Sequence, residues 1–229
     1  MKIYAIGDLH LSGKPPSKPM EIFGEHWADH AAKVAANWHQ LIRSDDTVII
    51  CGDTSWAMDL QDALTDLNWI AALPGRKIIL RGNHDYWWTT TRKMENFLTA
   101  NGFDTLHILH NNACTVGNVA LCGTRGWPFD DTNAQDAKIM AREAGRLRMS
   151  LQAGGSAQKI AFLHYPPVYP GGCAQPLVDI LHEFGVQQCY YGHLHGKSIR
   201  GAIQREVDGI RYKLVSADGL HFCPYKICD

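Results

Sequence analysis

Apolar and polar positions follow two patterns along the first half of the chain. Short runs rich in Ile and Val, bounded by turn residues, predict buried strands. These runs lie at residues 2–7, 46–52 and 76–81. In the segments between and after them, apolar residues recur every three or four positions, which predicts amphipathic helices. These helices cover residues 27–42, 60–71 and about 90–100. The resulting βαβαβ order predicts parallel strands joined by right-handed crossovers.

The second half of the chain changes character. Short apolar segments separated by turns predict an antiparallel stretch. Its strands lie at residues 105–110, 113–116 and 118–123. The elements that follow are a long helix over roughly 133–152, a buried strand over Lys159–His164, a short helix from Pro176 to Phe184, and a hairpin of residues 199–207 and 210–216. We find no internal repeat or linker, and we predict a single α/β domain over residues 1–229.

The composition narrows the class of protein. The chain has 229 residues, of which 45% are apolar, and a formal net charge of -1. A strongly basic surface, the usual mark of nucleic-acid binding, is not indicated. No apolar run approaches the roughly 20 residues that a membrane span requires, and the first run is too short for a signal peptide. Seven cysteines lack the dense spacing of a disulfide framework. We therefore expect a cytoplasmic protein.

The C-terminal tail leaves two interpretations open. Cys223 and Cys228, with His221 nearby, could form part of a zinc site, although four ligands at finger-like spacing are missing. The alternative is a tail that packs against the core.

Five short polar clusters recur down the chain, and the first four directly follow predicted strands. They are Asp8-Leu9-His10, Gly52-Asp53, Gly82-Asn83-His84-Asp85, His164 and Gly192-His193-Leu194-His195. In open α/β sheets ligands bind beyond the carboxyl ends of the strands, so we expect these side chains to converge. Two carboxylates, one amide and four imidazoles suffice to hold two divalent cations. The pairs Asp8/His10 and His193/His195 are spaced i, i+2, which in extended backbone directs both side chains to one side.

These clusters resemble the motif set of the calcineurin-like metallophosphoesterases, which is GDxH, GDxx, GNH[DE], H and GHxH. All five motifs are intact, at Gly7–His10, Gly52–Ser55, Gly82–Asp85, His164 and Gly192–His195. The resemblance implies an α/β fold, a four-layer αββα sandwich with two mixed β-sheets and the metals at one edge. It also implies a small phosphohydrolase of the bacterial type. Between Asp85 and His164 the chain has only ordinary strand and helix lengths and no inserted cap, so we expect an open cleft.

The resemblance further implies two divalent cations that share the carboxylate of Asp53. The ligands of one cation would be Asp8, His10, Asp53 and His195, and those of the other Asp53, Asn83, His164 and His193. Such mixed oxygen and nitrogen ligands suit Mn²⁺, Fe²⁺ or Fe³⁺, Zn²⁺, Co²⁺ and Ni²⁺. A hydroxide that bridges the cations would attack phosphorus in line. His84 would protonate the leaving alkoxide, and Asp85 would orient the imidazole and raise its basicity.

Substrate selectivity is less closely specified. Residues 52–56 depart from the GDxVDRG run of the Ser/Thr protein phosphatases, which argues against a protein substrate. Four residues near the expected rim are candidate substrate-binding groups, namely Trp56, Tyr86, Arg125 and Trp127. The rings would stack on a flat group such as a base, and the arginine would clamp phosphate. The alternatives, rings packed over the core and an arginine in a surface ion pair, stay open.

The leading hypothesis is therefore an enzyme that cleaves phosphomonoesters or phosphodiesters of small molecules or nucleotides. Two alternatives stay open. One is a non-catalytic interaction scaffold, since the same fold serves as a subunit of retromer, although that relative lacks the histidine present here as His84. The other is a nuclease, which the near-neutral charge disfavours because nucleic acids are long polyanions. The sequence does not predict the oligomeric state.

Overall fold

Two β-sheets pack face to face in this protein, and helices cover the outer face of each sheet. The computed structural model describes residues 1–128 and 134–228. Its layers are the αββα sandwich with two mixed sheets that the motif resemblance implies. The predicted fold class is therefore confirmed.

The elements follow one another as alternating strands and helices. The strands of the described residues are, in chain order, β1 (Ile3–Ile6), β2 (Thr47–Cys51), β3 (Arg76–Leu80), β4 (Leu106–Leu109), β5 (Ala113–Val116), β6 (Val119–Thr124), β7 (Gln158–Leu163), β8 (Val168–Tyr169), β9 (Gly172–Cys173), β10 (Gln188–Tyr191), β11 (Glu206–Val207), β12 (Ile210–Leu214) and β13 (Tyr225–Cys228). The helices are α1 (His30–Leu41), α2 (Leu64–Ala72), α3 (Thr91–Ala100), α4 (Ala134–Ala153) and α5 (Gln175–Glu183). Short 3₁₀ turns lie at Met20–Phe23, Glu25–Trp27, Gly196–Gly201 and Asp218–Leu220.

Both large sheets have a parallel centre with antiparallel edges. The first has the strand order β13-β1-β2-β3-β4, in which only β13 runs antiparallel to its neighbour. The second has the order β11-β12-β10-β7-β6-β5, with antiparallel strands at its two ends. Strands β8 and β9 form a separate small hairpin. Because β13 pairs with β1, the C-terminal tail is part of the first sheet.

The predicted antiparallel stretch over residues 105–123 is wrong in part. Strand β4 pairs in parallel with β3, and β6 pairs in parallel with β7, so only β5 and β6 are antiparallel. The connections explain the difference. Helix α3 carries the chain back before β4 begins, whereas the turn at Gly117, with a φ of 60°, reverses the chain between β5 and β6.

Two predicted helices begin later than expected. Trp27 belongs to its own 3₁₀ turn, and α1 begins three residues after it. Helix α2 begins at Leu64, not at residue 60. Residue 133, the predicted start of α4, lies outside the described residues. Within the described ranges, no helix combines the length and apolar character required to cross a bilayer.

The predicted hairpin near the C-terminus has a shorter first arm than expected. Residues 196–201 form a 3₁₀ turn, and only β11 pairs with β12. The turn itself agrees with the prediction, because Asp208 and Gly209 both adopt left-handed φ values, of 48° and 78°. Such values are typical of a two-residue turn whose twist matches the flanking strands.

Among the described residues, three apolar clusters fill the spaces between the layers. Side chains from the inner faces of both sheets, such as Ile49, Ile78 and Phe162, form the middle cluster. Alternate residues of the same strands, such as Ile50 and Ile79, pack against α1, α2 and α3. Helices α4 and α5 cover the second sheet in the same way. Because each central strand is buried on both faces, it is encoded as a continuous apolar run.

The two sheets are joined at the edge where their parallel strands end. The main-chain N–H of Gly7, directly after β1, donates to the carbonyl of Val215, directly after β12, at 2.7 Å. The N–H of Asp8 donates to the carbonyl of Gly52 at 2.8 Å, and the N–H of Gly192 donates to that of His164 at 3.1 Å. These bonds bring the residues that follow five strands to one place.

Candidate metal centre

Two groups of potential metal ligands lie side by side at this edge. Their members are Asp8, His10 and His195 in the first group, and Asp53, His164 and His193 in the second. Within each group the ligand atoms all lie within 4.8 Å of one another. His164 Nδ1 is 3.9 Å from Asp8 Oδ1, so the groups adjoin. These are the two groups of potential metal ligands found among residues 1–128 and 134–228. Neither group includes Cys223, Cys228 or His221.

Asp53 lies between the two groups. Its Oδ2 is 3.8 Å from His10 Nε2 and 3.5 Å from His164 Nε2. Asn83 joins the second group, since its Oδ1 is 2.6 Å from His164 Nε2. In the first group, His195 Nε2 is 3.2 Å from Asp8 Oδ1. The structure therefore brings the seven predicted ligand residues together. The carboxylate of Asp53 lies between the two groups, where it could bind both cations.

The turns that aim these ligands are left-handed, not extended. The φ values of Asp8, His10, Asp53 and His193 are 60°, 46°, 49° and 73°. Each such conformation costs a non-glycine residue about 1–3 kcal/mol. The extended geometry assumed for the i, i+2 pairs is thus wrong. The chain instead turns sharply after each strand, and the N–H of His10 donates to the carbonyl of Asp53 at 2.9 Å, which ties two of these turns together.

Two motif glycines are required by close backbone approach. A Cβ on Gly82 would lie 2.1 Å from both the main-chain nitrogen and Oδ1 of Asp53. A Cβ on Gly192 would lie 2.5 Å from Asp8 Oδ2. Any side chain at either position would displace a carboxylate of the centre.

The pKa values of the acidic ligands and of His195 reflect their burial together. Burial, and next the negative charge of Asp8, raise the pKa of Asp53 to about 8. Burial also acts to raise the pKa of Asp8, but the positive charge of His195 and the hydrogen bond from that ring hold it well below its usual range. Burial lowers the pKa of His195, and the carboxylates of Asp8 and Asp218 outweigh that effect and raise it to about 10. Cation binding would therefore displace protons from this centre.

The donor set fits a pair of divalent cations. Burial lowers the pKa of His193 to about 4, and it lowers the pKa values of His10 and His164, which favours the neutral form of the imidazole that binds metal. Carboxylate, amide and imidazole donors suit first-row transition metals, whereas soft metals prefer thiolates. The residues present thus match the dinuclear divalent centre that the motifs imply.

Buried acceptors behind two of the histidines hold the ring orientations. Asp218 Oδ1 lies 3.0 Å from His195 Nδ1, and Oδ2 of the same carboxylate accepts the N–H of Gly196 at 2.9 Å. The carbonyl of Cys51 lies 3.1 Å from His164 Nδ1. Such contacts direct the other ring nitrogen, Nε2, to the cation. Sequence reasoning missed Asp218, although it also follows an apolar strand at the same edge.

Replacing Asp218 with asparagine is expected to weaken cation binding about 10- to 100-fold. The amide removes the negative charge that holds His195 with Nε2 toward the centre. Titration of the metal-free protein with Mn²⁺ against a chelating dye measures this loss. Asp208→Asn, in an exposed turn, is the matched control and should bind Mn²⁺ as the wild type does. Equal affinities for Asp218→Asn and wild type would exclude the orienting role.

His84 lies beside the ligand groups without belonging to either. Its ring centroid is 5.8 Å from that of His10 and 4.3 Å from that of Trp56. Its main-chain N–H donates to Asp53 Oδ1 at 2.7 Å, and its Nδ1 lies 3.1 Å from the hydroxyl of Tyr86. Burial lowers the pKa of His84 to about 4, so the ring is neutral near pH 7. A Tyr86 hydroxyl that donates to Nδ1 places the single ring proton on Nε2, the nitrogen left for a ligand.

Asp85 occupies a different place from the one expected. Its Oδ1 accepts from the main-chain N–H of Thr54 at 2.8 Å and from Trp87 Nε1 at 3.0 Å, and its Oδ2 accepts from the N–H of Gly82 at 2.6 Å. The predicted contact with the His84 ring is not among the hydrogen bonds and ion pairs of the described residues. Adjacent side chains in this tight turn point apart, so the carboxylate ties together the loops after β2 and β3.

Asp85→Asn is expected to lower the free energy of unfolding by about 2–4 kcal/mol. The side-chain NH₂ group of asparagine cannot accept the N–H donors that now surround one carboxylate oxygen, which leaves buried donors unsatisfied. Urea denaturation of the metal-free protein measures the change. Asp104→Asn on the surface is the control and should change stability by less than about 0.5 kcal/mol. A similarly small effect at Asp85 would rule out the tying role.

The four candidate substrate-binding residues fall on two sides of the centre. Trp56 and the exposed Tyr86 lie beside His84. Arg125 and Trp127 lie on the other side, where the Trp127 ring is 5.8 Å from that of Tyr165, which in turn contacts His164 and His193.

Arg125 also has partners within the protein. One guanidinium nitrogen lies 3.8 Å from Glu143 Oε1, and the group sits 4.8 Å from the Trp127 ring centroid. Among residues 1–128 and 134–228, its buried Nε has no hydrogen-bond partner. An ion pair is therefore present, but it is largely buried and is not the surface ion pair left open as an alternative.

Comparison with solved structures finds the same fold. A protein of unknown function from Aquifex aeolicus superposes with a TM-score of 0.55 at 16% identity, covering 98% of this chain and 95% of that one. A phosphopantetheinyl hydrolase from Mycobacterium tuberculosis superposes with a TM-score of 0.52 at 15% identity, covering 94% and 88%. At such identities the likeness shows the fold alone.

Sequence comparison identifies the family. Gene 66 protein of Mycobacterium phage L5 is 38% identical over 80 residues, which are 34% of this chain and only 37% of that relative's length. The sequence model of the calcineurin-like phosphoesterases matches residues 1–197. That match contains the five motifs and both ligand groups. The chain thus belongs to the calcineurin-like phosphoesterases, a family of metal-dependent hydrolases.

Proposed function

We propose that this protein hydrolyses phosphomonoesters or phosphodiesters of small molecules or nucleotides, with two divalent cations as cofactors. The observation that carries the proposal is the adjacency of the two ligand groups at Asp53, with the ring of His84 beside them. Metal-binding groups alone would suit a structural site. The ring of His84, beside the two ligand groups, adds a proton donor that hydrolysis can use.

The ligand residues form two sets, one for each cation. Asp8, His10 and His195 would hold one cation, Asn83, His164 and His193 the other, and Asp53 both; Mn²⁺ is the first metal to test. When bound, two cations lower the pKa of water and neutralise charge on the phosphoryl oxygens. Left-handed turns hold the ligand residues in place, as do the buried acceptors behind His195 and His164, so cation binding requires little rearrangement.

His84 acts on the leaving group in this proposal. Water releases a proton and supplies the oxygen that forms the new P–O bond, the P–O bond to the leaving group breaks, and the leaving oxygen takes a proton from Nε2 of His84. The proton that water released then restores the one that His84 gave up. The hydroxyl of Tyr86 at Nδ1 holds the ring in position, in place of the carboxylate of Asp85.

The surroundings of the centre favour small substrates. Trp56 and Tyr86 on one side, and Arg125 and Trp127 on the other, would contact the groups on either side of the phosphorus. The near-neutral net charge of -1 gives long nucleic acids no general attraction. All seven cysteines are thiols, as is usual in a reducing compartment, and we propose a cytoplasmic location.

Hydrolysis of p-nitrophenyl phosphate and bis-p-nitrophenyl phosphate with added Mn²⁺ tests this function. We expect turnover that a chelator abolishes and that Mn²⁺ restores, and the ratio of the two rates distinguishes monoesters from diesters. A panel of nucleotides, cyclic nucleotides and sugar phosphates then narrows the substrate. A protein that binds two equivalents of Mn²⁺ yet turns over none of these compounds would instead be a scaffold.

A further inference from the structure

An apolar pocket opens directly beside His84. It has a volume of about 280 Å³. Its lining consists of His10, Met20, Phe23, Trp27, Trp56, His84, His195 and Gly196. Three of these residues, at positions 20, 23 and 27, belong to the two 3₁₀ turns that precede α1, and none of those three is a motif residue. The pocket is smaller than the cavities of roughly 300–1,000 Å³ that hold drug-sized ligands, and it suits a group of one or two rings.

The deep walls of this pocket are fixed by packing. The indole Nε1 of Trp56 lies 3.4 Å from Met20 Sδ. Trp27 is 1% exposed, and its ring packs edge-on against those of His195 and Phe222 at 5.6 and 5.3 Å. A ligand would therefore meet a preformed surface, which reduces the entropy lost on binding.

Trp56 cannot serve as a free stacking platform in this arrangement. The ring of His10 stacks on one face, with centroids 4.9 Å apart and planes 23° apart. The ammonium group of Lys18 lies 3.1 Å from the Trp56 centroid, and the His84 ring centroid lies 4.3 Å from it. These groups surround the indole closely, so the predicted stacking of a base on Trp56 would require one of them to move.

Phe23 supplies the open aromatic wall instead. Its side chain is 55% exposed although it lines the pocket. Burial of that ring against a ligand would remove apolar surface from water, which is favourable by roughly 25 cal/mol per Å². The adjacent Ile22 is 69% exposed and does not line the pocket.

The position of the pocket relative to His84 determines which part of a substrate it receives. The proposed proton donor lines the pocket, so a group seated there is attached to the oxygen that leaves. Five aromatic or imidazole rings besides that of His84 surround it, and their edges and faces favour a planar ring, since aromatic pairs contribute beyond the area they bury. Arg125 and Trp127, on the other side of the centre, do not line it.

We propose that this pocket binds the leaving group, and that Phe23 makes the enzyme selective for phosphate esters whose leaving alcohol carries a planar apolar ring. The inference rests on the proposed phosphoesterase function. It adds that the enzyme recognises the leaving-group side of the phosphorus, and that Phe23 performs this recognition.

Two substrates with the same type of leaving oxygen isolate this recognition. 2-Phenylethyl phosphate and n-butyl phosphate are both esters of primary alcohols, so they differ in the ring and not in the bond that breaks. With the Mn²⁺-loaded enzyme, we expect a lower KM for the phenyl ester. In Phe23→Ala we expect the ratio of kcat/KM, phenyl over butyl, to fall about three- to tenfold, mainly through KM.

Ile22→Ala is the matched control, because it removes a neighbouring exposed apolar side chain outside the pocket. Its ratio should equal that of the wild type. An equal KM for both esters in the wild type, or an unchanged ratio in Phe23→Ala, would overturn the inference while hydrolysis itself stands.

A binding measurement decides the question even if no ester is hydrolysed. 3-Phenylpropylphosphonate and n-pentylphosphonate carry a methylene in place of the ester oxygen. Calorimetric titration of the Mn²⁺-loaded protein should show tighter binding of the phenyl compound, with a three- to tenfold loss of that preference in Phe23→Ala. Equal affinities for both phosphonates would overturn the pocket assignment. Absence of turnover together with a Phe23-dependent preference would refute the catalytic function alone.

Discussion

Asp53→Asn is expected to lower kcat/KM for phosphate esters by at least about a thousandfold. Asp53 Oδ2 lies 3.8 Å from His10 Nε2 and 3.5 Å from His164 Nε2, so a neutral amide removes the one negative charge common to both ligand groups. The amide oxygen can still accept the main-chain N–H of His84, now 2.7 Å from Oδ1, so the loop keeps its shape. Steady-state kinetics in Mn²⁺ and metal content after gel filtration measure both losses.

The same substitution is expected to stabilise the metal-free protein. The pKa of Asp53 rises from an ordinary 3.8 to about 8 on folding because of burial and the charge of Asp8. A carboxyl group with a raised folded-state pKa reduces stability increasingly from about pH 4 to pH 8, because the unfolded chain ionises first. Asparagine does not titrate, so metal-free Asp53→Asn should have a higher Tm than metal-free wild type at pH 8.

Addition of Mn²⁺ should reverse that order. Wild-type Tm should rise with the Mn²⁺ concentration, since a ligand that binds only the folded state stabilises it, and the Tm of Asp53→Asn should not. Asp62→Asn, an exposed surface change, is the control and should respond to Mn²⁺ like the wild type. Retention of two equivalents of Mn²⁺ and of activity in Asp53→Asn would contradict the shared-ligand assignment.

His84→Ala is expected to reduce kcat for alkyl phosphate esters about 10²- to 10⁴-fold, the usual contribution of a positioned general acid. The loss should be much smaller for p-nitrophenyl phosphate, because p-nitrophenolate leaves without a proton. His84 belongs to neither ligand group, so the variant should still bind two equivalents of Mn²⁺. Comparing kcat for n-butyl and p-nitrophenyl phosphate in wild type and variant measures the effect.

Tyr86→Phe provides a graded comparison for this prediction. It removes only the hydroxyl 3.1 Å from His84 Nδ1 and should cause a smaller loss with the same dependence on leaving group. Equal losses on both esters in His84→Ala, or loss of Mn²⁺ from that variant, would show that His84 acts through the metal centre and not as the acid.

The fold class and the convergence of the ligands could be predicted because both depend on local signals. Strands buried on both faces are encoded as continuous apolar runs, and the parallel order follows from the helices between β1, β2 and β3. A polar residue just beyond such a strand must lie at the carboxyl edge. Gly82 and Gly192 belong to the recognisable motifs because contact distances below 3 Å exclude any side chain there.

Contacts between residues distant in sequence could not be predicted in this way. Asp85 was assigned to the adjacent His84, yet its carboxylate accepts from Thr54, Gly82 and Trp87. Adjacency in sequence does not specify the direction of a side chain within a left-handed or tight turn. The direction of β4 was predicted wrongly for a related reason. Whether a strand pairs in parallel depends on the strand beside which the preceding helix, here α3, returns the chain.

The sequence by itself determined the α/β class through its periodicity and the set of residues that could hold cations through the residue types at strand ends. Its five motifs indicated the family, and that resemblance in turn implied the layer architecture. Only the tertiary structure decided which acceptors orient the histidines, that Asp218 stands behind His195, and that Met20, Phe23 and Trp27 form a pocket beside His84. The physical reason is that these contacts join segments up to about 185 residues apart, such as the His10–His195 pair, and their geometry results from the packing of the two sheets.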